Sequence, residues 1–508
     1  MLFMHIPNSP QFVPVSGADP GVFVYIGDQI LDGDIPYRDH FGNKGPLTFY
    51  INALGLLIRR SSLWGIWAIQ LPILFGAALI GYKAMYKAFG KSPALFGSVA
   101  WILQLSLILR GGNFTEEYAL LFQFSAVLFF LYSEENKKQM CYPILVGVSF
   151  ALGFLLRPNN IGLSLSVLFL LAISFLFNKD QHAQLFKRTS FVLIGFLSVL
   201  SIVAVLFNSA DALDDLIQNV FLFNLSLNVT GGSIFSTMLS GIDRMPNLFL
   251  IAFVAWVLAL AQTFLVKEKS KEKKSIYAFL SIALPVDMFL ATFGGKAITH
   301  YFISWFPILG ILSAYFALSL QQAIQGQITI RQRKIQLSSI WLTAFFIIIS
   351  FQAVYRLAPF TSRFFESTLK NGTLSSAAYS QQDAETVKLI TRLTDEDDYL
   401  LMWGFELKFY FMANRESPSR FAYQYPFIAP EFATQEMIDE LLFDISTKKP
   451  LIIDSSITDG SNIPWIGAPK WSRVPGMESV MDYIFTHYTV TALAGPEKWP
   501  VYEYVGLE

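Results

Sequence analysis

The sequence predicts a polytopic α-helical membrane protein with a small α/β domain at its C-terminal end. Three observations lead there. Of 508 residues, 53% are hydrophobic and only 15% are charged, against about 25% charged in ordinary soluble domains. Apolar runs of spanning length, roughly 17–25 residues, recur up to residue 355. From about residue 380 they give way to short alternating helix and strand patterns. The expected division is residues 1–62 as a first loop with juxtamembrane helices, 63–355 as a membrane region of about ten spans, and 356–508 as an extracytoplasmic α/β domain.

The apolar runs lie near 63–86, 92–109, 116–132, 142–156, 160–177, 190–207, 247–266, 276–293, 301–320 and 338–355. The loops between them alternate in charge. One set holds Lys87 and Lys91; Lys137 and Lys138; Lys179, Lys187 and Arg188; Lys267, Lys269, Lys271, Lys273 and Lys274; and Arg331, Arg333 and Lys334. The other set, at 110–116, 157–160, 208–246 and 294–300, has at most one Lys or Arg per loop. The positive-inside rule puts the basic set in the cytoplasm. Loop 18–50 and everything after residue 355 then face outward. Residues 1–17 are too short and Pro-rich to span, so the reading is that the chain begins late, without a first helix. Leu47–Ile58 is also too short to cross and reads as an interfacial helix.

In the tail, Ala384–Arg392 and Gln435–Ile445 read as helices. Tyr399–Trp403, Leu451–Ser455, His487–Ala494 and Pro500–Val505 read as strands. No glycine-rich phosphate loop follows a strand and no nucleophile elbow is present. A lid or acceptor-docking domain is the plain reading of this region.

The net charge of −1 gives no reason to expect nucleic acid as a partner. A single cysteine, Cys141, excludes an internal disulfide framework and a zinc cluster. The few histidines are scattered, with no metal-ligand spacing.

Chemistry-bearing residues gather in outward loops. Loop 18–50 holds Asp19, Asp28, Asp32, Asp34, Arg38, Asp39, His40 and Lys44. Carboxylates and cations beside a bilayer can supply a general base and a phosphate clamp. Asp19 precedes Pro20–Gly21 and a helix-compatible stretch, so it reads equally as a helix cap. Arg38 and Lys44 read as phosphate contacts or as headgroup anchors. A second outward constellation is Gly294–Gly295–Lys296, then His300–Tyr301, ahead of an apolar helix with Pro307. Tyr301 alone is an ordinary aromatic-belt residue; Lys296 and His300 after a Gly–Gly turn are less ordinary. Asp287 lies inside the preceding helix, where carboxylates usually face a cavity or a partner. Glu116 and Glu117 read as capping acids or acceptor contacts, and Arg157 as a lipid anchor or phosphate contact. Sequons stand at Asn113, Asn224, Asn228 and Asn371.

The stretch from Asp19 through Gly33-Asp34-Ile35-Pro36-Tyr37-Arg38-Asp39, followed by Asn43-Lys44-Gly45-Pro46, resembles the first outer loop of GT-C glycosyltransferases. It is most similar to the family 39 group, which includes protein O-mannosyltransferases and the lipid A aminoarabinose transferase. Gly295–Lys296 through His300–Tyr301 and Pro307 resembles a further feature of that family. The resemblance implies an inverting hexosyl- or pentosyltransferase. It would take a sugar from a polyprenyl-phosphate lipid to a hydroxyl of a glycan, lipid or protein at the outer membrane face. It implies Asp19 as general base and Lys44, with Arg38, Lys296 or Arg157, at the donor phosphate. Tyr301, with His300, Glu116, Glu117 and Asp39, would bind substrate. A divalent metal is compatible with the family, but Asn43 stands where some relatives carry an acid. The sequence also lacks the family's first helix.

The main alternative is a transporter or flippase of lipid-linked sugars, expected to show internal repeats and broken helices. No repeat is visible. A non-catalytic assembly or sensor protein, working through its tail, is a further alternative, and so is a polymerase or ligase of lipid-linked glycans.

Overall fold

The computed structural model describes residues 5–13, 18–60, 62–109, 111–136, 138–177, 179–227, 232–266, 270–327, 358–366 and 381–506. The span expected over 338–355, the basic loop at Arg331–Lys334 and the sequons at Asn228 and Asn371 lie outside the described residues. The contacts group the chain into two compact units. One comprises residues 1–8, 70–204 and 231–370; the other comprises 9–69, 205–230 and 371–508. In this grouping the first loop and the tail belong to the same unit.

In chain order the helices of the first region are α1 (Ala18–Asp32), α2 (Pro46–Ile58), α3 (Leu63–Phe89), α4 (Lys91–Ile108) and α5 (Thr115–Glu135). They continue with α6 (Cys141–Leu156), α7 (Gly162–Phe177), α8 (His182–Asn208), α9 (Leu213–Ile217) and α10 (Phe223–Leu227). Next come α11 (Ile234–Arg244), α12 (Pro246–Phe264), α13 (Lys271–Thr292) and α14 (Phe306–Gln327). Among the described residues, six helical stretches are long and apolar enough to cross a membrane: Leu63–Phe89, Lys91–Ile108, His182–Asn208, Pro246–Phe264, Lys271–Thr292 and Thr299–Ala323. α6 and α7 have 16 residues each, about 24 Å at 1.5 Å per residue, a little short of the hydrocarbon core of roughly 30 Å. α2, with 13 residues, is shorter still, as the sequence suggests.

The first unit is a helical bundle with one large apolar core that includes Trp101, Phe124, Leu280, Phe302 and Trp305. α4 and α14 cross closely there. A Cβ on Gly97 would fall 2.4 Å from the Gly310 carbonyl oxygen, so only a residue without a side chain lets the backbones meet. Inside α13, Pro285 has no N–H for the Ser281 carbonyl. The Trp256 indole of α12 donates to that carbonyl at 2.9 Å instead, so the proline is accommodated without an orphaned acceptor.

Ion pairs form at both ends of α5. At one end Lys87 pairs with Glu135 at 2.5 Å, and Arg188 pairs with Glu134 and donates to Ser133 at 3.0 Å. At the opposite end of α5, Glu116 pairs with Arg157. Lys87 of the last turn of α3 and Arg188 of the first turns of α8 thus meet one end of α5, and Arg157 after α6 meets the other.

The second unit contains α1, α2, α9, α10 and the tail. The tail's helices are α15 (Gln381–Leu393), α16 (Lys408–Ala413), α17 (Gln435–Lys448) and α18 (Met477–His487). Its strands are β1 (Leu400–Trp403), β2 (Leu451–Asp454), β3 (Tyr488–Ala494) and β4 (Trp499–Tyr504). They form one sheet in the order β1-β2-β4-β3. β1 and β2 run parallel, with Leu400 opposite Leu451, so α17 lies on the crossover that parallel strands need. β4 is antiparallel to both β2 and β3. β1 and β2 are buried throughout, as their unbroken apolar sequences require.

Candidate functional site

In the second unit, α1 begins at Ala18 and puts Asp19 in its first turn. There the helix dipole favours a negative charge. The Asp19 carboxylate meets Lys44 Nζ at 3.4 Å, and both side chains are about nine-tenths buried (13% and 9% exposed). Lys44 also donates to Asn43 Oδ1 at 3.4 Å. The backbone that carries Lys44 is fixed from two directions. Tyr37 Oη donates to the Lys44 carbonyl at 2.7 Å, and Asn224 Nδ2 donates to the Asn43 carbonyl at 2.8 Å. Tyr37 itself has φ 75°, an unusual backbone for a bulky residue. Its amide bond to the His40 carbonyl at 2.8 Å holds it there.

The remaining charged residues of the loop have other engagements. Arg38 forms a two-point bond with Asp39, Nε to Oδ1 and Nη2 to Oδ2, each 2.8 Å, and its Nη1 donates to the Ala210 carbonyl at 3.0 Å. Asp39 also accepts from the Ile35 amide at 2.8 Å. Burial works to raise the Asp39 pKa, but the Arg38 and Ile35 bonds prevail and hold it below the ordinary value. Arg38 and Asp39 therefore act as a clasp of the loop. Asp28 and Asp32 share Arg60, at 3.3 and 2.5 Å. His40 bonds Asp34 at 2.8 Å.

In the first unit a second group forms at the N-terminal end of α5. Glu116 pairs with Arg157, whose guanidinium lies 3.6 Å from the centroid of the Tyr301 ring. His300 stacks on Phe114 at 4.2 Å, the planes 8° apart, and meets Tyr301 edge-on at 4.9 Å. Four expected site residues, Glu116, Arg157, His300 and Tyr301, thus sit in one cluster. Glu117 is turned away from it: the Phe114 amide donates to Glu117 Oε2 at 3.4 Å, so it serves as the capping acid. Lys296 lies half-buried in the turn after α13. Arg244, which belongs to no motif, braces this turn by donating to Thr299 Oγ1 at 2.5 Å and to the Ala297 carbonyl at 3.2 Å. Two sequons are tied into the fold. Asn113 is buried and accepts from Tyr118 Oη at 2.7 Å, and Asn224 donates inward to Asn43 and Val220.

Among the described residues no three His, Cys, Asp or Glu side chains gather to hold a metal ion. Asp19 faces a lysine, so the loop's donor set does not suit the divalent metal that the resemblance allows.

Residues 3–367 match the family described as "Putative competence-induced protein Ccs4 N-terminal domain". The chain belongs to this family. No curated protein matches its sequence significantly. Among solved structures it is similar to ArnT from Cupriavidus metallidurans bound to undecaprenyl phosphate. The TM-score is 0.56 at 11% identity, over 99% of this chain and 96% of that one. The apo state of ArnT gives 0.56 at 12% identity, with the same coverage. An oligosaccharyltransferase of Archaeoglobus fulgidus, tethered with an acceptor peptide, gives 0.50 at 14% identity, over 100% and 73%. At such identities the likeness speaks for the fold. This member of the family is an integral membrane protein of GT-C fold with a small C-terminal sheet.

The signals for Asp19, Lys44 and the Glu116–Arg157–Tyr301 group were local in sequence and legible. The aromatic residues of the tail that pack near Asp19 were missed. Phe405, Tyr423 and Tyr425 follow no motif, and only the folded chain brings them to residue 19. Burial and then the nearby Asp19 charge raise the Tyr423 pKa well above its usual value, which keeps this phenol protonated.

Proposed function

We propose that this protein is an inverting glycosyltransferase of the family 39 kind, moving a sugar from a polyprenyl-phosphate lipid to an acceptor hydroxyl at the outer face of a membrane. The observation that carries the reading is the buried Asp19–Lys44 pair in the first loop of a GT-C fold. Such a pair is costly to bury and fills no evident packing need. The bound undecaprenyl phosphate of the ArnT structure supports the donor class.

In this reading Asp19 accepts the proton of the acceptor hydroxyl as that oxygen forms its bond to the anomeric carbon. The anomeric carbon's bond to the phosphate oxygen breaks, and the electron pair leaves with the phosphate. Lys44 moves from Asp19 toward that developing charge and stabilises it. Arg157, stacked on Tyr301 in the first unit, and Lys296 are proposed separately as phosphate contacts, with His300 and Glu116 holding Arg157's surroundings in place. Arg38 and Asp39, occupied with each other, are left out. The tail and loop 18–50 are assigned to the extracytoplasmic side.

The test is mass analysis of lipid-linked sugars in cells that carry Asp19→Asn at normal expression. A polyprenyl-phosphate monosaccharide should accumulate while one glycan or protein modification disappears. Unchanged product would remove Asp19 as the base. The flippase alternative is favoured only by Asp287, a buried carboxyl inside α13 whose two oxygens have no hydrogen-bond partner among the described residues. It predicts loss of lipid-linked sugar translocation in Asp287→Asn with transfer chemistry intact.

A further inference from the structure

Next to Asp19 the tail contributes an aromatic group that the proposed chemistry leaves without a task. Phe405 lies two residues past the C-terminal end of β1, which is parallel to β2. In open α/β sheets, the crevice outside the carboxyl ends of parallel strands is the usual place for a ligand. The Phe405 ring stacks with Tyr423 at 5.1 Å and 26°, and with Tyr425 at 5.5 Å and 15°; Tyr423 and Tyr425 are 6.1 Å and 14° apart. Three rings with nearly parallel planes form a flat ledge, whereas aromatic clusters packed only for burial favour edge-on contacts as often. Phe405 and Tyr425 keep part of their surface open, and Tyr423 lies fully buried behind them.

Two polar atoms at this ledge lack partners. The Tyr423 hydroxyl is fully buried and has no hydrogen-bond partner among the described residues. The neighbouring Gln424 uses its Oε1 to accept from the Gly404 amide at 2.9 Å, while its buried Nε2 is likewise without a partner. Leaving such groups unsatisfied is costly, and they are found where a ligand completes them. Phe41 supports the ledge from loop 18–50: its ring is 5.6 Å from Tyr423, and its amide donates to the Arg420 carbonyl at 2.8 Å. The close approach of Gly21 to the Lys408 amide fixes the same neighbourhood against the first turns of α1, since a Cβ there would fall 3.1 Å from that nitrogen.

We propose that the open surfaces of Phe405 and Tyr425 form an acceptor subsite that stacks the apolar face of a sugar ring, with Tyr423 behind them and its hydroxyl and Gln424 Nε2 donating to the sugar's oxygens, so that the acceptor is a glycan. A flat aromatic surface with a few placed donors suits a pyranose, which has an apolar face and a polar rim. An extended peptide would instead call for an open strand edge. The inference rests on the transferase reading for its name as an acceptor site, but its test does not require turnover.

The test uses the full chain in lipid nanodiscs, with the methyl glycosides of glucose, galactose, mannose and N-acetylglucosamine as probes and a Ser/Thr-containing hexapeptide as comparison. Saturation-transfer NMR should detect at least one glycoside and not the peptide. Phe405→Ala should abolish that signal, and Tyr423→Phe, which keeps the ring, should weaken binding about tenfold, as loss of one hydrogen bond does. Asp19→Asn should retain glycoside binding while losing transfer. That separates the two readings: transfer surviving in Asp19→Asn overturns the base and leaves the ledge standing. The ledge is overturned if no glycoside binds, if binding is the same in Tyr423→Phe and Phe405→Ala, or if the peptide binds and Phe405→Ala removes it.

Discussion

Replacing Lys44 with Met strands Asp19, and the size of the effect follows from the geometry. At 3.4 Å and an effective dielectric near 20, the attraction amounts to about 5 kcal/mol. Both side chains are about nine-tenths buried, so solvent screens little of it. Part offsets the desolvation of the two ions, but removing one partner takes the nearest opposite charge from the other buried ion, which typically costs about 3–5 kcal/mol. For a body the size of the second unit, each kcal/mol moves the melting midpoint by roughly 2–4 °C. Lys44→Met and Asp19→Asn should therefore each lower the midpoint by about 6–20 °C, measured by thermal unfolding in nanodiscs. The double variant, with neither charge, should recover most of that loss, giving a coupling of about 3 kcal/mol, and all three should lack transfer. If the two single effects simply add within about 0.5 kcal/mol, the ions do not sense each other and the reasoning fails.

Asp454 accepts from Ser456 and from the Ile466 amide, yet burial raises its pKa from 3.8 to about 6. An acid whose folded value lies above its unfolded one stabilises fully below the unfolded value and loses that contribution as pH rises through the folded one. Protection of β1 and β2 amides from hydrogen exchange should therefore fall by about 2 kcal/mol between pH 4 and 7, and Asp454→Asn should flatten the slope. In the bundle, a Cβ on Gly162 would fall 1.9 Å from Asp287 Oδ1. Gly162→Ala should cost more than about 2 kcal/mol, and pairing it with Asp287→Ala should relieve most of that, as read by thermal unfolding. Arg157→Lys keeps the charge but gives up the flat stack on Tyr301, so it should raise the donor KM at least tenfold while leaving the melting midpoint within a few degrees.

The bundle was legible because burial in lipid leaves a coarse signal. Each apolar run near 63–86, 92–109, 116–132, 247–266 and 276–293 corresponds to a helix with ends within a few residues. α8 starts well ahead of the expected run at 190–207, at His182, since its first turns pair Arg188 with Glu134 at the basic end of the bundle. The tail's four strands were legible too, from β-branched and aromatic runs. α16 and α18 were not, being short amphipathic pieces whose burial depends on partners far off in sequence. The same holds for α9, α10 and the turn between them, which carry Asn219 and Asn224, whose amides donate to the Tyr37 and Asn43 carbonyls.

The candidate site divides along the same line. A charged residue in a loop can be suspected from its neighbours in sequence, because the cost of placing it near a bilayer is a local matter. Whether it works or merely braces is decided by what reaches it from elsewhere. Arg38 and Lys44 look alike in the sequence, six residues apart in one loop. The fold gives Arg38 an adjacent aspartate and an exposed position, and gives Lys44 a buried carboxylate on another helix. The aromatic ledge carries this further. Phe405, Tyr423 and Tyr425 gain a meaning only because the tail, the first loop and residues 205–230 condense into one unit, so a residue near position 19 and one near position 423 act on the same few ångströms of space. If the ledge takes the acceptor as proposed, deleting the tail, which is grouped with the first loop, should remove acceptor binding as completely as altering Asp19 removes transfer.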